Sequence, residues 1–556
     1  MPIANHAVAA RTWADFLGRA RALESFHAIY GTDSDVLDRR LELLRRVIGR
    51  FVERFGDRPI RLFRSPGRIN LRGMHVDTHG GYLNLMTHQR EAVVAVADHA
   101  AEHFEFANVD PSFGDATFSI HPLSERRAFG RTWLDFIADP AVRSHVEAHR
   151  GAWGHYVCGA MLRARFARPA CPLPGLVGVL GSDIPRGAAL SSSSAICVAL
   201  VLAATACAGR PLEGDALITA ARDAEWFTGS RCGLGDQAAM VLPKRGELVN
   251  VAFRPEAFDT AAARPMAFPD SARVLVIDSG TTRSLSGAAL VEYTRNRFAY
   301  SLALSILRQE AARDGLAPEV VAQLNSLARV SPHELGADRI YAWLRRVPES
   351  LGLDELRRRY DLPDLDEAYG RYFGTVDPAR RPTSIHLRGP LLFGIAESER
   401  ARTFGEAVAS GDLDRAGALM TTGHDGDRRI GRDGTAFACD VSDAAIEALA
   451  AAATPIEQCP GAYGASSPVL DALVDAALSA GALGASLTGA GIAGAVLALC
   501  RAEDAPRVAE GVRACLASTA YAALTGRNAH PERRETHDAV VTNEATASAC
   551  ELTLPQ

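Results

Sequence analysis

An apolar extended run, Leu176-Val177-Gly178-Val179-Leu180, stops at the loop Pro185-Arg186-Gly187-Ala188-Ala189-Leu190-Ser191-Ser192-Ser193-Ser194, and an apolar helical run begins near Ser192. This order of strand, small-residue loop and helix constrains the fold more than any other stretch. It sets the unpaired N–H groups of a helix start beside a loop without bulky side chains. Such a start carries a partial positive charge and can cradle a polyphosphate on backbone amides. The serine hydroxyls add donors and suit Mg²⁺, which prefers hard oxygen ligands. Standing alone, the same residues read first as an ordinary serine cap and linker.

Amide donors matter because Lys244, in the turn Pro243-Lys244-Arg245-Gly246, is the only lysine. A mechanism needing a phosphate-loop lysine, or the lysine of protein kinases, has none to use. With 60 basic against 66 acidic residues, the net charge of −6 provides no general attraction to nucleic acid or an anionic membrane. A small-molecule partner is expected. The longest apolar run, Ala195 to Gly209, is too short to span a bilayer, and Arg11, Asp15, Arg19 and Arg21 interrupt any secretory core, so a cytoplasmic location is expected. Ten cysteines without a C-x-x-C pair suggest thiols buried in a reducing compartment.

A chain of 556 residues, 47% of them hydrophobic, implies two or three domains. Helical spacing at Trp13, Phe16 and Leu17, then Leu41, Leu44, Val47, Ile48 and Phe51, marks residues 1–50 as a helical extension. Short extended segments, Arg61 to Phe63 and Ala92 to Asp98, open a first domain over 51–267. The boundary is placed near Pro265 to Asp270, and the strand Val274 to Asp278 followed by a long helix opens a second domain over 268–556. Within it, the arginine- and proline-punctuated segment 331–382 reads as a peripheral insertion, and the Gly/Asp/Arg-rich segment 421–466 as an irregular, partly mobile one.

Three further segments carry candidate chemistry. Ser65 to Gly81 packs Arg68, His75, Asp77 and His79 into a stretch expected to be turn-rich, a density of donors and acceptors suited to a polyol; surface pairing of Arg68 with Asp77 is the plain alternative. In Cys232-Gly233-Leu234-Gly235-Asp236-Gln237, a carboxylate on a glycine-lined loop can take a proton from an alcohol, and the preceding Glu225 can hold a metal. Gly484 to Gly494 is a second small-residue loop before the strand Ala495 to Leu499.

Together, and in this order, the four segments resemble the galactokinase branch of the GHMP small-molecule kinases: Pro66 to Gly81 is similar to the first family signature, Pro185 to Ser194 to the second, Leu487 to Gly494 to the third, and Cys232 to Gln237 to the Cys-Gly-Ile-Met-Asp-Gln segment. Trp153, Tyr156, Val157 and Gly159, and Glu292, Tyr293, Arg295 and Arg297, echo other landmarks of that branch. The resemblance implies an α+β, two-domain fold, with a ribosomal S5 domain 2-like N-terminal domain and a ferredoxin-like C-terminal domain. It implies an ATP- and Mg²⁺-dependent kinase acting on the C1 hydroxyl of a galacto-configured sugar, with Asp236 as base and Arg68 orienting it. By the same resemblance, Ser193 and Glu225 hold Mg²⁺, His75, Asp77, Gly233 and Tyr293 contact the sugar, and Gly187, Ala188, Ala189, Leu190, Ser191, Ser192, Ser193 and Ser194 cradle ATP, supported by Gly489 and Gly491.

Departures bear on specificity. Ala189 and Ala493 stand where the family has glycines, and Ser193-Ser194 aligns with a Ser-Ala pair whose loss marks catalytically silent sensor relatives. Met74 replaces a glutamate that binds the sugar's C6 hydroxyl, and Arg72 replaces an aliphatic residue. A free Arg72 suits a uronic acid such as galacturonate, Met74 filling the C6 space suits L-arabinose, and D-galactose stays open. A sugar- and ATP-binding sensor is the alternative to an enzyme; a GHMP branch acting on a non-sugar alcohol is disfavoured by His75 and Asp77.

Overall fold

The structure, a computed structural model, describes residues 7–19, 21–99, 103–149, 151–168, 173–187, 190–253, 260–281, 288–374, 376–526 and 533–555. The strands are β1 (Val8–Ala9), β2 (Pro59–Arg72), β3 (Tyr82–His99), β4 (His103–Asn108), β5 (Ala116–Ser119), β6 (Gly175–Ser182), β7 (Glu247–Ala252), β8 (Arg264–Ala267), β9 (Ala272–Asp278), β10 (Ser350–Gly352), β11 (Ser384–His386), β12 (Gly484–Thr488), β13 (Ala495–Arg501), β14 (Val540–Thr542) and β15 (Cys550–Leu552). A nine-stranded sheet follows the path β1-β2-β3-β6-β4-β5, with β15 on β2 and β7 and β8 built off β3.

The expected short segments are instead long strands of 14 and 18 residues, and the first signature is extended through Arg72 before it turns. Their alternation explains the length. Phe63, Val94 and Val96 enter one core with Ala195, Val198 and Val201 of the helix Ser192–Cys207. Leu62, Val93 and Ala95 point the other way, against Leu44, Val47, Ile48 and Phe51 of the helix Ser34–Phe55. With both faces covered, β2 and β3 are almost continuously buried. The leader is therefore a layer of the first domain rather than an appendage, each of its large apolar side chains contributing roughly 1.5–3 kcal/mol of burial.

That layer is also fastened by charge. Arg40, 1% exposed, gives Nη1 to Asp183 Oδ1 at 3.0 Å and Nη2 to Oδ2, and stands 3.8 Å from Glu91. Glu91 in turn accepts from Tyr30 at 2.9 Å and pairs with Arg64. Asp183 follows β6 directly and leads into the phosphate-loop segment.

The second sheet is antiparallel with the order β12-β13-β9-β14. Taking the helices Pro468–Ser479 and Ala505–Leu516 with these strands, the chain runs strand, helix, strand, strand, helix, strand, the split β-α-β arrangement of ferredoxin-like domains. Between β9 and the first of those helices, residues 288–467 build a mainly helical body. Here the expected peripheral character of 331–382 fails: Ile340, Tyr341, Trp343, Leu344, Leu356 and Phe373 form a common core with Phe298, Leu391 and Phe393. The segment 421–466 is likewise built in, since helix Leu413–Asp427 continues through its start and His424, Asp427, Arg428 and Tyr463 are buried. The strand β15 lies outside its expected domain, for it pairs β2 of the first sheet. Among the described residues, no helix is long and apolar enough to cross a membrane, and the nine described cysteines are free thiols.

Candidate active site

Asp236 sits in the first turn of the short helix Gly235–Val241, which packs against β2 and β3. This brings its carboxylate to Arg68, midway along β2: Arg68 Nε donates to Asp236 Oδ1 at 2.6 Å. Ser191 Oγ donates to the other oxygen at 2.6 Å. Ser191 adopts φ 58°, a strained choice for a residue with a side chain, at the junction of the phosphate-loop segment and the helix Ser192–Cys207. Arg68 Nη1 also reaches Thr488 Oγ1, at 3.4 Å, on the last residue of β12. Four sequence motifs from both sheets thus meet within one hydrogen-bonded group. Asp236 is a third exposed and Arg68 almost buried, so the carboxylate faces an opening while its cation is fixed behind it.

A second carboxylate lies on the preceding helix, Gly214–Phe227. Glu225 is buried and accepts from Ser193 Oγ and Ser194 Oγ, both at 2.7 Å, from Gln237 Nε2 at 2.9 Å and from Cys232 Sγ at 3.5 Å. Burial pushes its pKa up, against the lowering effect of the two serines. All four donors are neutral, so the carboxylate's desolvation is only partly offset. A divalent cation with oxygen preference fits that imbalance, with Ser193 and Glu225 as its holders. The extra hydroxyl of Ser194, relative to the family's alanine, is satisfied by this same carboxylate.

Asp77 begins a short turn after β2 and accepts from the N–H groups of Thr78 and Gly235. Burial, then the neighbouring Asp236, raises its pKa. Gly233 makes room for it: a Cβ there would stand 1.8 Å from Asp77 Oδ2. His75, at φ 64°, stacks on Tyr463 with ring centroids 4.4 Å apart, its Nε2 3.5 Å from Asp427 Oδ2. Beside Tyr463, a small recess is lined by Glu292, Asn296, Arg429, Gly464 and Ala490.

Met74 and Arg72 are placed differently from what the sequence suggested. Met74 is 1% exposed and packs with Leu275, Leu470 and Leu487 in the core of the second sheet. Arg72 is fully buried, giving Nε to Glu397 Oε1 at 3.0 Å and Nη1 to the Met420 carbonyl at 2.7 Å. Glu397 also accepts from the N–H groups of Gly73 and Met74 and from Arg400. The charge of Arg72 is thus spent inside the protein and none is left for a substrate carboxylate. Of the remaining candidates, Gly187, Leu190 and Ser192 flank the loop, Gly489 and Gly491 form the turn after β12, and Ala188 and Ala189 lie outside the described residues. Tyr293 belongs to the helix Ala288–Arg313, but its side chain is outside the described set. Sequence reasoning missed Glu397, Asp427 and Tyr463, which no motif marks.

Residues 155–244 match the GHMP kinases N terminal domain, 444–518 the GHMP kinases C terminal domain and 49–98 the galactokinase galactose-binding signature. The chain is 27% identical to a galactokinase of Chloroflexus aurantiacus over 67% of this chain and 75% of that protein. It is also 27% identical to a galactokinase of Chloroflexus aggregans, over 68% and 76%. The crystal structure of Lactococcus lactis galactokinase complexed with galactose shares the fold, with TM-score 0.59 and 16% identity over 91% of this chain and 98% of that one. The chain thus carries matches to two GHMP kinase domains and to a galactose-binding signature, and it is similar to galactokinases on a fold shared with one of them.

Proposed function

We propose that the chain transfers the γ-phosphoryl group of ATP to the C1 hydroxyl of a galacto-configured sugar, in the cytoplasm. The observation that carries this reading is the Asp236 carboxylate held between Arg68 and Ser191, each at 2.6 Å. Asp236 accepts the proton of the sugar hydroxyl as that oxygen bonds to the γ-phosphorus and the bond to the ADP oxygen breaks. Arg68 keeps the carboxylate oriented and faces the charge that gathers on the moving phosphoryl group. Mg²⁺, when bound, neutralises phosphate charge, and Ser193 and Glu225 would hold it. Helix-start amides and the Ser192 hydroxyl would take the place of the missing lysine as phosphate donors.

Asp77 and His75 would read the sugar's secondary hydroxyls, with Gly233 keeping Asp77 in place. Buried Met74 and the buried, Glu397-paired Arg72 support an uncharged, small C5 substituent, so we rank L-arabinose and D-galactose above galacturonate. The test is ADP release over galactose, L-arabinose, galacturonate and glucuronate, with Asp236→Asn alongside. Turnover with one of the first two, falling about a thousandfold in Asp236→Asn with sugar affinity kept, is expected. An unchanged rate in that variant removes Asp236 as base; sugar binding without ADP release makes the protein a sensor.

A further inference from the structure

Away from the phosphoryl-transfer site, three histidines converge. His145 lies near the end of the helix Pro140–Ala148, His149 caps that helix, and His155 lies in the first turn of the helix Gly154–Ala167. One ring nitrogen from each lies within 4.8 Å of those of the other two. The spacing has a simple origin. Residues four apart share a helix face, so His145 and His149 are neighbours, and the turn through Gly151, at φ 85°, brings His155 back against them. Ring centroids are 4.9 Å apart for His145 and His149 and 5.5 Å for His155 to either.

One detail favours a cation over a fortuitous cluster. His149 Nδ1 is 2.9 Å from the His145 carbonyl, which can only accept; Nδ1 therefore carries the proton and Nε2 the lone pair. A ligating imidazole is commonly oriented by this kind of bond from its other nitrogen. Around a tetrahedral zinc, with Zn–N near 2.0–2.1 Å, ligand nitrogens stand about 3.3 Å apart, so the rings need to close by roughly 1.5 Å at most. His149 is exposed and can make that movement, whereas His155 is 8% exposed and forms the fixed wall.

We infer that His145, His149 and His155 form a binding site for a borderline divalent cation of the zinc class, with three imidazole ligands and a fourth, outward position left to water. A three-nitrogen set selects such ions over Mg²⁺, which demands oxygen, so the site is chemically separate from Ser193 and Glu225. Its bound ion would clamp the turn between the two helices. The second of these packs directly on the helix Gly214–Phe227, which carries Glu225, and the His155 ring meets Phe227 at 6.0 Å.

The test uses the untagged full chain, stripped with a chelator and held in excess Mg²⁺, titrated with Co²⁺ and then displaced by Zn²⁺. The site predicts one Co²⁺ per chain with the visible bands of a tetrahedral nitrogen and oxygen environment, and a rise in melting temperature with Zn²⁺. His149→Ala and His145→Ala should each weaken binding by at least about a hundredfold and abolish the melting shift, while His121→Ala, at an exposed histidine elsewhere, changes neither. Binding that survives both substitutions overturns the assignment, as does a near-ultraviolet thiolate band, which would place the ion on the free cysteines. A chain that retains no Co²⁺ overturns it as well. Folding is checked by circular dichroism of the variants without metal, and His149→Ala, at an exposed cap, should match the parent.

Discussion

Adding one methyl group at Gly233 should disable sugar recognition. A Cβ there would lie 1.8 Å from Asp77 Oδ2 and 2.6 Å from its Cγ. Since carbon approaches below 3.0 Å do not occur at real Cβ atoms, the carboxylate must retreat by at least 1.2 Å, the difference between 3.0 and 1.8. It has nowhere easy to go, being half-buried and tied to the N–H groups of Thr78 and Gly235. A misplacement of about 1 Å in a positioning group costs on the order of a hundredfold in rate, or about 2.7 kcal/mol. Gly235→Ala is the matched control, because its Cβ would meet Asp77 Oδ2 at 3.5 Å, an ordinary contact. Steady-state kinetics over the sugar and thermal unfolding of both variants make the comparison. A Gly233→Ala enzyme within a few-fold of the parent kcat/KM, or a Gly235→Ala enzyme just as impaired, would refute the role given to Asp77.

Arg40→Met should destabilise the chain by about 2–3 kcal/mol in denaturant unfolding, below the usual cost of breaking a buried ion pair because Asp183 is 31% exposed; a loss under about 0.5 kcal/mol would show that the pair fastens nothing. Burial would raise the Asp183 carboxyl, but Arg40 overrides it and holds the pKa below the ordinary 3.8. A lowered folded pKa gives stability that is present above 3.8 and lost as pH falls below it, so the parent should lose this increment in acid and Arg40→Met should show a flatter acid limb. Glu225→Gln should raise the Mg²⁺ concentration for half-maximal activity by about tenfold or more, read by magnesium titration of ADP release, and an unchanged requirement would move the metal elsewhere.

The convergence of the four motifs was legible because each is a short segment whose turn or helix start dictates where its side chains go. Its supporting partners were not. Glu397 lies 325 residues from Arg72, and nothing in the spacing of either announces the pairing that turns a free cation into an internal one. Asp427 and Tyr463 reach His75 in the same way, across a fold that local pattern cannot trace. The segment 331–382 read as peripheral because its arginines and prolines mask short amphipathic helices; in Ala337–Arg346, Ile340, Tyr341, Trp343 and Leu344 share one buried side. The pair His145 and His149 shows helical spacing in the sequence, whereas the arrival of His155 depends on the turn between two helices.

The return of β15 to β2 makes the polypeptide cross between its two larger sheets twice, once between β8 and β9 and again after β14. The second crossing is stitched down, with Asn543 donating to the Thr87 carbonyl and Arg64 to that of Ala547. Arg68 and Thr488 face each other across that doubly strapped seam. Two crossings restrain the halves more than one would, so a relative rotation of Arg68 against Thr488 has to strain both connections at once.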